Sequence, residues 1–146
     1  MMSLFGGMRV SAGALSAERL RLNVIAENIA NAETTRTPEG GPYRRKEVLL
    51  VQGTGGAFSG LPGEASDSGE PNGVQAAGVV VDPTPPRMVF DPSHPDANAE
   101  GYVQMPNVEV PAEVVDMMSA TRAYEANALA YQSQRKLQER SLELLA

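Results

Sequence analysis

His94 is the only histidine of the 146-residue chain, and Asp91 and Asp96 lie close to it in sequence. Such a group could bind a metal ion or act as a general base. Zinc usually needs three or four protein ligands, however, and the chain offers one imidazole and no cysteine. Pro92 and Pro95 indicate a turn at this point. The sequence also lacks a nucleophile elbow, a phosphate-binding loop, a dinucleotide fingerprint and a zinc-protease motif, so we expect no catalytic, metal or cofactor site.

A basic run, Arg44-Arg45-Lys46, follows Tyr43 and leads into an apolar segment that is predicted to form a strand. The run could bind a polyanion, or it could be a solvated strand edge at which arginine and lysine prevent unwanted pairing. We favour the strand edge. The formal net charge of −6 also opposes general attraction to nucleic acid.

Two asparagines, Asn28 and Asn31, lie at the end of the first predicted helix. In one interpretation Asn31 ends the helix in a left-handed conformation and Asn28 is solvated. In the other, one asparagine is buried between helices and fixes their register, as a polar residue in an apolar seam can do. The sequence leaves both interpretations open.

The longest predicted element is a C-terminal helix of roughly 34 residues that begins at Pro111, after which no proline or glycine occurs. Glu113 and Asp116 place negative charge at the positive end of this helix. A stripe of residues at spacings of three and four predicts a seam that packs against another helix. The seam residues are Val110, Val114, Met117, Thr121, Tyr124, Ala128 and Tyr131.

An N-terminal helix is predicted from Val10 or Ser11 to about Asn31, after a glycine-containing segment, residues 1–9, that we expect to be flexible. Its apolar residues form two rows. The first row is Leu15, Leu22, Ile25 and Ile29, and the second is Val10, Ala17, Leu20 and Val24. The first row predicts an antiparallel coiled coil with the C-terminal helix. The second row would then remain in water, which predicts helical packing between subunits.

The predicted fold is mainly α with a small β-rich insert between the two long helices. Apolar runs bounded by turn residues predict strands at 48–51, 74–81, 87–90 and 101–105, whereas residues 53–73 are typical of a flexible loop. The chain thus divides into residues 1–35, 36–110 and 111–146. With few aromatic residues we expect no large self-contained core, and no apolar run is long enough to span a membrane. No signal-peptide pattern is present.

Several sequence blocks resemble those of a known family, the proximal rod proteins of the bacterial flagellar basal body. The specific block is TTRTPEGGPYRR at residues 34–45, which follows NVIAENIANA at residues 23–32. Blocks at residues 91–96, 101–103, 106–108, 113–118 and 122–127 are similar to later parts of the same family. The positions that carry the resemblance include Asn28, Asn31, Thr34, Thr35, Pro38, Gly40, Gly41, Pro42, Tyr43, Arg44, Arg122 and Asn127. The first block is shared by axial rod and hook proteins, and its continuation favours the C member of the rod set.

This resemblance implies a structural subunit that is exported unfolded by the flagellar type III apparatus and assembled in the periplasm around a central channel. Its partners would be copies of itself, other rod proteins and the export apparatus, with no nucleic acid and no membrane span. Two alternatives belong to other functional classes. One is a cytosolic coiled-coil adaptor whose insert binds a client, and the other is a periplasmic wall-cleaving hydrolase that uses His94.

Overall fold

A computed structural model of the chain describes residues 2–53 and 73–144. It is mainly helical, with two long helices and two small antiparallel sheets between them, which confirms the predicted architecture at that level. The elements are α1 (Met2–Ala30), β1 (Lys46–Gln52), β2 (Val74–Val81), β3 (Arg87–Phe90), β4 (Tyr102–Met105) and α2 (Val110–Glu143). Most of the predicted flexible loop, residues 54–72, lies outside the described residues. Within the described residues, neither helix is long and apolar enough to cross a membrane.

Helix α1 begins at Met2, so the predicted start near Val10 or Ser11 is wrong. Gly6 and Gly7 lie inside the helix, where each glycine costs only about 1 kcal/mol relative to alanine. Gly7 also has a packing role, because a Cβ atom built on it would lie 2.7 Å from the Nε2 atom of Gln134 on α2. The bare backbone of Gly7 thus leaves room for the Gln134 side chain, whose flexible end would have to shift if this position carried a Cβ atom.

The most extensive contact between elements joins α1 and α2. At one end Asn28 bonds to Glu113, and towards the other end Gly7 lies against Gln134. Of the predicted seam residues, Ile25 is buried, and Leu15, Leu22, Ile29, Met117, Tyr124, Ala128 and Tyr131 are half-buried.

Three of the predicted seam residues, Val110, Val114 and Thr121, are exposed within the single chain. The buried side of α2 contains Glu113 and Ala120 instead. The predicted seam is therefore displaced towards one edge of the buried side of α2.

Strands β1 and β2 form an antiparallel hairpin in which Val48 lies opposite Val79, with a bulge between Leu49 and Leu50. Both strands contact α1. This contact covers two members of the second apolar row of α1, Ala17 and Val24, which are 2% and 5% exposed. Val10 and Leu20 of the same row are half-buried, and a contact of this row with other copies stays a prediction.

Strands β3 and β4 form a second antiparallel hairpin, closed by a turn that contains His94. Its inner side chain, Val103, is buried, and the rings of Phe90 and Tyr102 meet edge to face with centroids 5.2 Å apart. Gly101 ends the turn with a φ angle of +82°. The predicted strands at 74–81 and 87–90 match β2 and β3, and the predicted turn at residues 91–96 is confirmed.

Candidate functional site

A buried cluster of polar side chains joins α1, the start of β1 and the first turn of α2. We call it the polar junction, and its members are Asn28, Tyr43, Arg45, Lys46 and Glu113. Asn28, which is 1% exposed, lies at its centre. The Asn28 Nδ2 atom donates to the carbonyl of Lys46 at 2.9 Å and to Oε2 of Glu113 at 3.1 Å. Its Oδ1 atom accepts from the Tyr43 hydroxyl at 2.9 Å and from the Lys46 amide at 3.0 Å.

Arg45 supplies the positive charge of the polar junction. Its Nε atom donates to Oε1 of Glu113 at 2.5 Å, and its guanidinium also pairs with Glu47. The carboxylates of Asp82 and Asp116 lie 3.7 and 3.6 Å from its terminal nitrogens. One guanidinium thus meets four carboxylates that come from β1, the end of β2 and α2.

The positions of these side chains follow from helix ends and turns that the local sequence determines. Asn28 lies in the last turn of α1, and the chain then reverses through Gly40 and Gly41, whose φ angles are +89° and +78°. This reversal brings Tyr43 and Arg45 back beside the helix. Glu113 lies in the first turn of α2, where the positive end of the helix favours a carboxylate.

Burial and charge alter the acidities of two members. Burial, together with the negative charges of Glu27 and Glu113, raises the pKa of the Tyr43 hydroxyl to about 12. Burial alone would lower the pKa of Arg45, but its hydrogen bonds and charge interactions with Glu113 and Glu47 outweigh that effect and raise the pKa. At neutral pH Tyr43 therefore stays a neutral hydrogen-bond donor and Arg45 stays charged.

A second set of bonds ties the loop after α1 to the β3–β4 hairpin. The Thr35 hydroxyl donates to Oδ2 of Asp96 at 2.8 Å, and the guanidinium of Arg36 lies 3.0 Å from Oδ1 of the same carboxylate. The amide of Arg45 donates to Oδ1 of Asn107 at 3.0 Å. The loop of residues 31–45 thus contacts both helices and both hairpins.

His94 belongs to the turn and not to a reaction centre. Its Nδ1 atom accepts from the amide of Asp96 at 3.1 Å, which supports the turn geometry. Hydrogen bonds from the hydroxyl and amide of Ser93 lower the pKa of the Asp91 carboxyl. Within residues 2–53 and 73–144, no group of three or more His, Asp or Glu side chains is arranged to hold a metal ion.

The two asparagines agree with the second interpretation and not with the first. Asn28 is buried between the helices, as the second interpretation predicts. Asn31 is not left-handed, since within the described residues only glycines have a positive φ angle. Its side chain instead donates to the carbonyl of Glu27 at 2.9 Å and accepts from the Thr34 hydroxyl at 3.2 Å.

The other residues singled out in the sequence are spread over the surface of the fold. Pro38, Arg44 and Arg122 are exposed, and the Asn127 side chain donates to the carbonyl of Ala123 within α2. Pro42 and Leu20 are half-buried. The structure of one chain does not test whether these residues, or Val114 and Thr121, contact another subunit, so that role stays a prediction.

The solvated strand edge predicted for the basic run is wrong for two of its residues. Arg45 reaches Glu113, and the Lys46 Nζ atom donates to Glu27 at 2.5 Å. No local sequence signal indicates either pair, because the partners lie 68 and 19 residues away. The cluster holds three elements together, and its main donors and acceptors are already used by the chain itself.

The chain is similar in sequence to known proteins of the bacterial flagellum. A family described as "Flagella basal body rod protein" matches residues 8–36, and one described as "Flagellar basal body rod FlgEFG protein C-terminal" matches residues 99–144. Three relatives, each named flagellar basal-body rod protein FlgC, are similar over nearly the whole chain. The protein of Bacillus subtilis is 44% identical over 98% of this chain and 99% of its own. That of Borreliella burgdorferi is 39% identical over 99% of both chains, and that of Yersinia enterocolitica is 41% identical over 98% of both.

The chain belongs to the FlgC family of flagellar basal-body rod proteins. It is accordingly a structural component of the basal-body rod and not an enzyme. These matches confirm the resemblance seen in the sequence. They give no support to the cytosolic adaptor, and a wall-cleaving hydrolase that uses His94 does not agree with them.

Proposed function

We propose that this rod subunit works by helix packing alone, through two contacts. In the first, α1 and α2 of one chain pair as an antiparallel coiled coil. The bond from Asn28 to Glu113 and the approach of Gly7 to Gln134 support this direction, because each joins the start of one helix to the end of the other. In the second contact, the outer face of α2 packs against copies of the chain and other flagellar rod proteins.

One observation carries the second contact. On the side away from α1, helix α2 exposes a row of large apolar side chains, which we call the outer face. Val115, Met118 and Leu129 are its members, and they are 65, 53 and 65% exposed. At about 100° per residue they lie within roughly 60° of one another and nearly opposite the buried Ala120. Charged side chains lie between Met118 and Leu129 on the same side of the helix, so the outer face consists of separate apolar side chains within a polar surface. Large apolar side chains that are this exposed are candidates for contact with another protein.

The outer face supplies the kind of contact that a rod needs. If it packs against a different surface of the next subunit, the contact does not close on itself and generates a helical array. Such an array can enclose a central channel and transmit torque along its axis. Burial of each large apolar side chain would contribute about 1–2 kcal/mol to each contact.

We further propose that the chain is synthesised in the cytoplasm, exported unfolded by the flagellar type III apparatus and assembled in the periplasm. The sequence contains no cysteine, so no disulfide can form before or during passage through a narrow channel. In this proposal the finished rod spans the periplasm.

Substitution of the outer face tests the second contact. Leu129→Asp should leave the isolated protein soluble and helical, because Leu129 does not lie in the contact with α1, but it should prevent rod assembly. Circular dichroism measures the helix content. Electron microscopy of purified basal bodies and swimming in soft agar measure assembly.

Gln132→Asp is the matched control, since it adds the same charge within one turn of α2 at an exposed position that is already polar. Cells with this variant should swim. Normal rods and normal swimming with Leu129→Asp would show that the outer face does not contact another subunit.

A further inference from the structure

The side-chain bonds between α1 and α2 at the polar junction depend on a third element. Asn28 on α1 bonds to Glu113 on α2, but its other three bonds all go to Tyr43 and Lys46. Glu113 has a second partner, Arg45, from the same segment. Residues 43–46 therefore complete the hydrogen bonding of both helices at this point.

Glu113 would be costly to bury without that segment. Its side chain is 1% exposed, and a buried carboxylate needs an opposite charge as well as hydrogen bonds. Asn28 is neutral and offers one N–H. Arg45 provides the compensating charge, and without it Glu113 would also face the nearby carboxylates of Asp82 and Asp116.

The position of Arg45 depends in turn on the β1–β2 hairpin. The carbonyl of Arg45 accepts from the amide of Asp82, the residue that follows β2, at 2.8 Å, and its own amide donates to Asn107. Lys46, the next residue, is the first of β1 and lies opposite Val81. The guanidinium thus reaches Glu113 when the hairpin has formed and docked against α1.

We propose that the polar junction makes the pairing of α1 with α2 conditional on the docking of the β1–β2 hairpin, with Arg45 as the positioning residue. The apolar seam alone does not discriminate between alternative helix pairings. Half-buried side chains at helical spacing can pair in several registers or with a helix of another copy. In a shifted register, or with a helix of another copy, Glu113 does not meet both Asn28 and Arg45 of its own chain. The ion pair therefore selects the helices of the same chain in the register observed here, whatever packs against the outer face.

Hydrogen exchange on the isolated full-length protein tests this coupling. Arg45→Met should lower the protection of amides in the middle of α2, near Ala120 and Tyr124, by about 100-fold, the effect expected when one partner of a buried pair is removed. These amides lie two to three turns away from Arg45's partner Glu113. Arg44→Met is the matched control, because it removes the same charge from the neighbouring exposed position and should change protection less than about threefold.

A double variant distinguishes selection of the observed helix pairing from a general contribution to the stability of the fold. Arg45→Met combined with Glu113→Leu removes the buried charge together with its partner. In this double variant protection along α2 should return to within about tenfold of the original protein, while protection in β1 stays low. Helix pairing would then no longer need the hairpin. Arg45→Lys keeps the charge without the planar fork and should fall between the original protein and Arg45→Met.

Two results would overturn the proposal. In the first, Arg45→Met lowers protection in β1 and β2 but leaves α2 unchanged, so the helices pair independently of the hairpin. In the second, the double variant loses at least as much protection in α2 as Arg45→Met alone, so removal of the buried charge does not restore helix pairing. Neither readout depends on rod assembly, so failure here is distinguishable from failure of the outer-face proposal.

Discussion

Replacement of Asn28 by alanine should be among the most destabilising single changes in the chain. It removes four hydrogen bonds, to the Lys46 amide and carbonyl, the Tyr43 hydroxyl and the Glu113 carboxylate, at 2.9 to 3.1 Å. A buried group that loses its partner costs about 1–3 kcal/mol, and the low end applies where water can replace the partner. Asn28 lines a cavity of about 350 Å³, which admits water, so we use about 1 kcal/mol for each bond.

The sum predicts a loss of about 4 kcal/mol for Asn28→Ala, a large part of the roughly 5–15 kcal/mol that stabilises a typical domain. Asn31→Ala is the matched control. Its side chain makes two hydrogen bonds at a half-buried position, one donated and one accepted, so that variant should lose about 1–2 kcal/mol. Urea unfolding followed by far-ultraviolet circular dichroism measures both losses.

The two variants can be compared only if the slope of their unfolding free energy against urea concentration equals that of the original protein. Asn28→Asp adds a second test, because it keeps the size of the side chain but puts a carboxylate within reach of Glu113. We expect it to be at least as destabilising as Asn28→Ala at neutral pH. If Asn28→Ala loses no more stability than Asn31→Ala, the polar junction does not hold the fold together and the reasoning above is wrong.

Two further predictions concern Tyr43 and Gly101. The chain has no tryptophan, so its ultraviolet absorbance reports tyrosinate, and it should show a step near pH 12 that Tyr43→Phe removes. Because the folded-state pKa is raised, the contribution of Tyr43 to stability is complete below the ordinary value of 10.0 and is lost as pH rises towards 12. Gly101→Ala should cost about 1–3 kcal/mol in urea unfolding, since its φ angle is +82° and a Cβ atom would lie 2.9 Å from Phe90. Gly78→Ala, with no atom within 4 Å of the added carbon, should change stability by less than about 0.5 kcal/mol, and equal losses for both variants would contradict the strain argument.

Local sequence signals were sufficient to predict the strands and the long C-terminal helix. Valine-rich runs and flanking Asp-Pro pairs bound β2 and β3, and the stretch after Pro111 contains no helix breaker. The start of α1 was missed because two adjacent glycines usually indicate a flexible segment. Here one of them, Gly7, lies against Gln134 of α2, and no local pattern reveals such a contact.

The polar junction was only half predictable. A polar residue inside an apolar heptad pattern suggested a buried Asn28, whereas Arg45 and Glu113 each look like ordinary surface residues. Their sequence neighbours do not show that one lies against the other, 68 positions away. The contact of β1 and β2 with the second apolar row of α1 was not predicted for a similar reason. An apolar row indicates that a partner exists, but not whether that partner is a strand of the same chain.

The bonds of the polar junction and the neighbouring loop close very long stretches of chain. Asn28 and Glu113 are 85 residues apart, and Thr35 and Asp96 are 61 apart. Loops of this length must be closed before their contacts contribute, and proteins dominated by such contacts fold slowly. A newly made chain cannot complete its architecture until Glu113 has left the ribosome, and we expect the closure of these long loops to be slow. For the export route proposed above, slow folding would be an advantage, because a chain that has not yet folded can still pass through a narrow channel.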